Sequence, residues 1–353
     1  MNRTFWRNRR VLLTGHTGFK GGWLSLWLSE LGAEVHGYAL APPTDPGFYQ
    51  ACNVAERLAG NTIADIRDAD TLERAVRDAQ PDIVLHLAAQ SLVRRSYAAP
   101  AETYAVNVMG TVNLFEAVRR TPGIRAVINV TSDKCYENQE WVWPYRENEP
   151  VGGFDPYSSS KGCAELVTAA YRRSFLDEAG VPLASARAGN VIGGGDWAAD
   201  RLVPDFLRAL DAGEVLGIRS PGATRPWQHV LEPLSGYLLL AEKLVTEGPA
   251  FAEAWNLGPD AADTCTVEWI VEQLCSRLPG ARWRSDAPPQ AHEANALQLD
   301  SSKARARLGW QPRWNLHTAL DYTVAWHRAW RQGTDMADVS LQQIRDYQSA
   351  GQA

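Results

Sequence analysis

The chain has 353 residues, of which 45% are hydrophobic and 22% charged. That is the balance of a globular protein, and the length exceeds the roughly 250 to 300 residues at which a single core stops growing, so two lobes are expected. With 35 Lys+Arg against 41 Asp+Glu the net charge is -6, which opposes attraction to nucleic acid or to an anionic membrane surface and favours a small-molecule partner. Five cysteines without a CxxC pair exclude a disulfide framework. The basic start leads only into Val11-Leu12-Leu13, too short an apolar run for a signal peptide, and nothing approaches a membrane span. A cytoplasmic protein with free thiols is the expectation.

Short β-rich runs at 10–14, 34–40, 61–65, 82–88, 126–131 and 183–188 alternate with helical patterns. This alternation predicts an α/β fold, a doubly wound parallel Rossmann sheet whose ligands bind beyond the carboxyl ends of the strands. From about residue 188 the alternation gives way to loops and helices rich in Trp and Pro. The expected division is a cofactor-binding domain over 1–187 and a smaller mixed α/β substrate lobe over 188–353.

Between the first strand and an apolar helix stands Gly15-His16-Thr17-Gly18-Phe19-Lys20-Gly21. Glycines there permit a tight turn and a close backbone approach, and a helix N-terminus offers free N–H groups to a pyrophosphate. The same spacing also suits a plain strand-to-helix turn. After the second strand His36-Gly37-Tyr38-Ala39-Leu40 supplies neither a carboxylate for a ribose hydroxyl nor an arginine for a 2′-phosphate, which favours NAD over NADP. Asp65-Ile66 is placed to bond and cover an adenine, or else is an ordinary loop aspartate and its neighbour.

Only five basic residues are lysines: Lys20, Lys134, Lys161, Lys243 and Lys303. An ammonium can lose its proton where a guanidinium cannot, so each raises a chemical question. Tyr157 and Lys161 stand four apart at the start of a predicted helix, which puts phenol and ammonium on one face. A nearby cation favours tyrosinate and suits the phenol to act as a base on a sugar or alcohol hydroxyl.

Through Gly15, Gly18, Gly21, His86-Leu87-Ala88-Ala89-Gln90, Asn107 and the Tyr157/Lys161 pair, nearly the whole chain resembles the extended short-chain dehydrogenase/reductase family. The resemblance implies NAD as cofactor, held by Gly15, Thr17, Gly18, Phe19, Lys20, Gly21, Asp65, Ile66, Leu87, Ala88, Ala89, Gln90, Asn107, Tyr157 and Lys161. It also implies a homodimer, or a dimer of dimers, paired through helices near 102–120 and 157–176. No metal is implied. Thr131-Ser132-Asp133-Lys134-Cys135-Tyr136 resembles the sugar-nucleotide 4,6-dehydratases, most of all those acting on CDP-linked glucose. In that scheme Tyr157 removes the carbon-4 hydroxyl proton, Ser132 bonds that oxygen, Lys161 tunes the phenol, Lys134 takes the carbon-5 proton and Asp133 protonates the leaving hydroxyl. Related dTDP-glucose dehydratases carry glutamate at position 134. Asn190 and Arg225 match diphosphate-holding positions, with Arg201 and Arg219 as further candidates. Glu293, in His292-Glu293-Ala294-Asn295, is expected to accept from a cytosine amino group. A sugar-nucleotide 4-epimerase of the same fold is the rival reading.

Overall fold

Val11-Leu12-Leu13, Ile83-Val84-Leu85 and Ala126-Val127-Ile128 are apolar without alternation because helices cover both faces of the sheet they build. The computed structural model describes residues 1–285 and 297–351. Its central sheet contains β1 (Arg10–Thr14), β2 (Glu34–Ala39), β3 (Gly60–Ile63), β4 (Ile83–His86), β5 (Ala126–Val130), β6 (Leu183–Arg187) and β7 (Ala254–Asn256). The order is β7-β6-β5-β4-β1-β2-β3 and all pairs are parallel. β1 pairs with β2 on one side and β4 on the other, so the switch in winding direction falls where Thr14 faces both Tyr38 and His86. The six predicted strands form within two residues of their expected ends. β7 escapes prediction because three residues, Ala254-Trp255-Asn256, are too few to show a period.

The pleat sorts the two cores. Val11 and Leu13 face one side with α1 (Phe19–Glu30), whose residues 21–28 are all buried, as expected of a helix apolar on every side. Leu12, Val84, Val127 and Leu183 face the other, against α2 (Ala69–Ala79), α3 (Gly110–Arg120) and neighbouring α4 (Pro156–Tyr171). α5 (Leu231–Glu247) joins the α1 side, and after α6 (Leu316–Arg331) the chain returns there with α7 (Met336–Ser349), where Tyr347 meets Trp27 edge-on at 5.6 Å. A third core, separate from the two on the sheet's faces, gathers Phe206, Trp227, Ile270 and Leu320 in a lobe of its own. Among the described residues no helix is long and apolar enough to cross a membrane.

Both predicted long helices form, and each contains a wide π turn. Residues 105–109 join Pro100–Tyr104 to α3, and Arg172–Leu176 extends α4. Asn107 lies in the first of these turns. Such turns re-aim side chains and are frequent at functional sites.

Candidate active site

The glycine loop meets its steric expectations residue by residue. Gly15 has φ +80°, and a Cβ there would sit 2.8 Å from the Ala88 backbone nitrogen. A Cβ on Gly21 would lie 2.0 Å from the Gly15 carbonyl oxygen. These two glycines let the loop fold onto itself and onto the β4 exit. Gly18 differs: its Cβ would meet nothing nearer than 3.4 Å, and as the N-cap of α1 it makes no side-chain cap bond. The first-turn N–H groups of α1 are thus left to an incoming acceptor, a cradle whose donor chemistry fits a pyrophosphate. Thr17 is turned back, donating from Oγ1 to the Leu40 carbonyl at 2.9 Å.

Asp65 and Ile66 follow β3 as expected. The Asp65 carboxylate is engaged by Arg67 at 2.5 Å, which holds it below the usual carboxylate range, and Ile66 is buried against Gly110. At the β4 exit the Thr14 hydroxyl accepts from the amides of Leu87 and Ala88, each at 3.1 Å, next to a buried His86 that burial keeps neutral, with its pKa near about 3. Asn107 accepts from the Gln90 amide at 2.8 Å and donates to the Gln90 carbonyl at 3.0 Å and to Ser160 Oγ at 2.8 Å. One asparagine therefore ties the Leu87–Gln90 loop to the helix that carries Tyr157.

That helix is fixed at its start by Asp155, whose carboxylate accepts from the Ser158 amide at 2.9 Å and the Ser158 hydroxyl at 2.6 Å, with Pro156 in the first turn. Tyr157 and Lys161 are both buried. Burial pushes the Tyr157 phenol up to about 12, while Ser132 and Arg201 act to lower it. Lys161, pushed down to about 8 by burial, donates to the Val130 carbonyl at 3.3 Å. The environment of the phenol is thus set by burial first. The lysine expected to tune it is committed to the end of β5.

The loop after β5 brings the predicted trio to the same place. Ser132 donates to Asp133 Oδ1 at 3.0 Å and accepts from the Lys134 amide at 3.2 Å. Asp133 is buried, and desolvation raises its pKa above the carboxylate range despite Lys134, Ser132 and Lys20. Its Oδ2 packs over Gly189, where a Cβ would sit 2.8 Å away. Lys134 is half-buried, and among the described residues its ammonium makes no hydrogen bond or ion pair.

Lys20 extends beyond the cofactor loop. Its half-buried ammonium reaches the Tyr237 hydroxyl at 3.5 Å and is pushed down to about 8 by desolvation, with Arg201, Asp133 and Lys161 close enough to act on it. Spacing alone gave no sign of this orientation.

Arg201 also joins the cluster: it acts on Tyr157, pairs with Asp196 at 2.8 Å and donates to Ser91 Oγ at 3.2 Å, bridging lobe and sheet. Asn190 lies between β6 and a short strand, its carbonyl accepting from the Gln228 amide at 3.1 Å, and Arg225 is buried on Thr224–Pro226. Arg219 stands 3.8 Å from Asp200, which also pairs with Arg94. No described contact brings Asn190, Arg219 or Arg225 onto the Tyr157 cluster. Glu293 lies outside the described residues. Trp227 packs in the lobe core and bonds the Cys265 carbonyl at 3.1 Å. Among the described residues no metal-binding cluster occurs.

The parallel sheet, the glycine cradle and a buried tyrosine, lysine, serine and aspartate at the strand ends define a class of sugar-nucleotide-modifying Rossmann proteins. The sequence profile described as GDP-mannose 4,6 dehydratase matches residues 12–323, and the chain belongs to that family. It is 54% identical over 356 residues to the CDP-glucose 4,6-dehydratase of Salmonella typhimurium, covering 99% of each chain. It is 27% identical to a dTDP-glucose 4,6-dehydratase of Xanthomonas campestris, over 94% of this chain and 98% of that one. Among solved structures it resembles DesIV, a dTDP-glucose 4,6-dehydratase from Streptomyces venezuelae with NAD and TYD bound, with a TM-score of 0.77 at 27% identity, covering 93% and 99%. The UDP-glucose 4-epimerase of Thermotoga maritima with UDP-glucose gives 0.78 at 25% identity, covering 90% and 98%.

Proposed function

We propose that the chain is a hydro-lyase that converts CDP-glucose to CDP-4-dehydro-6-deoxyglucose and water. The observation that carries this reading is the buried carboxyl of Asp133, bonded by Ser132 at 3.0 Å, next to Lys134 and beside Tyr157, where desolvation raises its pKa. An epimerase has no use for an acid that protonates a leaving hydroxyl. The 54% identity to a dehydratase acting on CDP-glucose supports the choice of reaction and of nucleotide.

In this reading NAD would be the cofactor and, when bound, would supply a hydride acceptor for carbon 4 of the sugar and a hydride donor for carbon 6. The α1 N-terminus behind Gly15, Gly18 and Gly21 takes its pyrophosphate, Asp65-Ile66 its adenine, and Leu87–Gln90 with Lys161 its nicotinamide side. DesIV, at 27% identity and with NAD bound, supports NAD as the cofactor. Tyr157 takes the proton of the carbon-4 hydroxyl. With its phenol near about 12, that role depends on positive charge gathered around it, to which Arg201 already contributes. Ser132 steadies the carbon-4 oxygen, Lys134 takes the carbon-5 proton made acidic by the neighbouring ketone, and Asp133 gives its proton to the departing carbon-6 hydroxyl. Arg225, Asn190, Arg201 and Arg219 serve the diphosphate, and Glu293 the cytosine. Met109 and Leu166 stay exposed on the two long helices, where a second copy of the chain would cover them.

The test is incubation of purified protein with CDP-, UDP-, GDP- and dTDP-glucose in the presence of NAD, read by mass spectrometry and by the 4-keto chromophore. Loss of one water from CDP-glucose is the expected result. Equilibration of the carbon-4 epimers without water loss would replace this reading with that of an epimerase.

A further inference from the structure

Ser132, Asp133 and Lys134 sit on a loop whose own amides make long backbone bonds, while the Cys135 carbonyl at its end accepts from the Gly152 amide at 2.9 Å. The Asp133 amide reaches the Ala188 carbonyl at 3.3 Å, the Cys135 amide reaches Ser132 at 3.3 Å and the Tyr136 amide reaches Asp133 at 3.5 Å. The flanking side chains are held more tightly. Thr131, just before the loop, donates to Glu165 Oε1 at 2.5 Å. Tyr136, just after it, accepts from Arg187 Nη1 at 2.7 Å and donates to Asn256 Oδ1 at 2.7 Å. Glu165 and Arg187 close the circuit with an ion pair at 2.7 Å, both side chains 5% exposed, and Ser185 adds a bond to Glu165 at 2.7 Å. The guanidinium also lies 4.8 Å over the Tyr136 ring.

On the dehydration reading above, we infer that the Glu165–Arg187 pair is a positioning couple that clamps both ends of the Ser132–Cys135 loop and sets Asp133 and Lys134 against Tyr157. Glu165 lies one helical turn beyond Lys161 on α4, and Arg187 ends β6, so the clamp refers the loop to the helix that carries the tyrosine and to the strand beside β5. A buried ion pair is poor value as a stabiliser, since apolar residues of similar size often hold a core as well. Here both partners bond outward to opposite ends of one loop, a geometry that positions rather than merely fills. Neither residue touches the reacting atoms.

The test uses the full chain with NAD and avoids dependence on variants that strand a buried charge. Thr131→Val removes the bond to Glu165, and Tyr136→Phe removes two bonds, the one accepted from Arg187 and the one donated to Asn256; both leave the ion pair in place, and Thr131→Ser keeps the donor. The clamp predicts that Thr131→Val and Tyr136→Phe lower kcat by roughly ten- to hundredfold, with KM changed less than about twofold. It also predicts that reduced cofactor absorbing at 340 nm builds up during turnover, because elimination slows more than carbon-4 oxidation. Thr131→Ser should stay near the parent. Hydrogen–deuterium exchange across residues 131–137 should quicken in both disabling variants whatever substrate the protein uses. Unchanged exchange there overturns the clamp, as does a kcat unchanged, or a fall in kcat without build-up of reduced cofactor. A parent protein that releases no water from CDP-glucose would instead sink the reaction assigned above, and the exchange measurement would still decide on the clamp.

Discussion

Three glycines in one loop give a prediction in which steric distance alone ranks the outcomes. Alanine at position 21 puts a methyl 2.0 Å from the Gly15 carbonyl oxygen and 2.7 Å from its carbonyl carbon. These are backbone atoms of a loop pinned against the β4 exit, so no rotamer relieves the clash. Overpacking of this kind costs ~1 to 3 kcal/mol, against a gain of up to ~1 kcal/mol from replacing glycine by alanine inside a helix. The clash wins, and Gly21→Ala is expected to lower the Tm by a few degrees. Gly15→Ala adds strain at φ +80° to a contact of 2.8 Å with Ala88 and should cost at least as much. Gly18→Ala meets only an ordinary contact at 3.4 Å with ordinary φ, so its Tm should stay close to the parent's. Its methyl nevertheless lies at the α1 N-terminus, the place proposed above for the NAD pyrophosphate. A displacement costing ~1.4 to 2.7 kcal/mol there weakens NAD binding roughly ten- to hundredfold. Thermal scans with and without NAD, together with titration calorimetry, separate the two effects. A Gly18→Ala protein that binds NAD as the parent does, or a Gly21→Ala protein as stable as Gly18→Ala, would refute the assignment of the loop.

Three further outcomes follow from the same distances. Gly189→Ala places a methyl 2.8 Å from Asp133 Oδ2 and 3.0 Å from Pro226 Cγ; the carboxylate can swing aside but the proline ring gives little, so a modest fall in Tm should accompany a larger fall in product formation, and an undiminished turnover would argue against Asp133 as the acid. Lys134→Met loses no hydrogen bond among the described residues, so stability should persist while 4-keto product formation drops at least about a hundredfold, the usual scale of a lost general base. Glu232 is fully buried, accepting from the Tyr347 hydroxyl at 2.6 Å and the Trp314 amide at 2.8 Å, and burial raises its pKa to about 7. The folded state then holds this proton more tightly than the unfolded one between about pH 4.5 and 7, so this group makes stability fall as pH rises through that window, by up to about 3 kcal/mol. Glu232→Gln should flatten that part of the Tm–pH curve, and a variant with the parent's slope would exclude the carboxyl as its source.

Much of the site was legible because its chemistry is local. The glycine spacing, the four-residue interval from Tyr157 to Lys161, and Ser132-Asp133-Lys134 at a strand exit all follow from periods and turns within a few residues. Glu165 and Arg187 were not, although Glu165 lies one turn past Lys161 and Arg187 just before Asn190. A glutamate one turn past Lys161 is an ordinary helical residue until β6 brings an arginine to it from 22 positions away. The orientation of Lys20 was hidden for the same reason: only the approach of α5, carrying Tyr237, and of Arg201 turns a cofactor-loop lysine toward Asp133.

Hydrophobic runs and glycine punctuation determined the sheet, its parallel winding and the position of the cradle, because backbone sterics and burial act on neighbours in the chain. The seventh strand, the return of α7 to the sheet, the burial that lifts the Tyr157 phenol to about 12 and the clamp around the acid loop were decided by tertiary contact alone. Desolvation and long-range pairing depend on what surrounds a group in space, and the order of residues along the chain does not encode that surrounding locally.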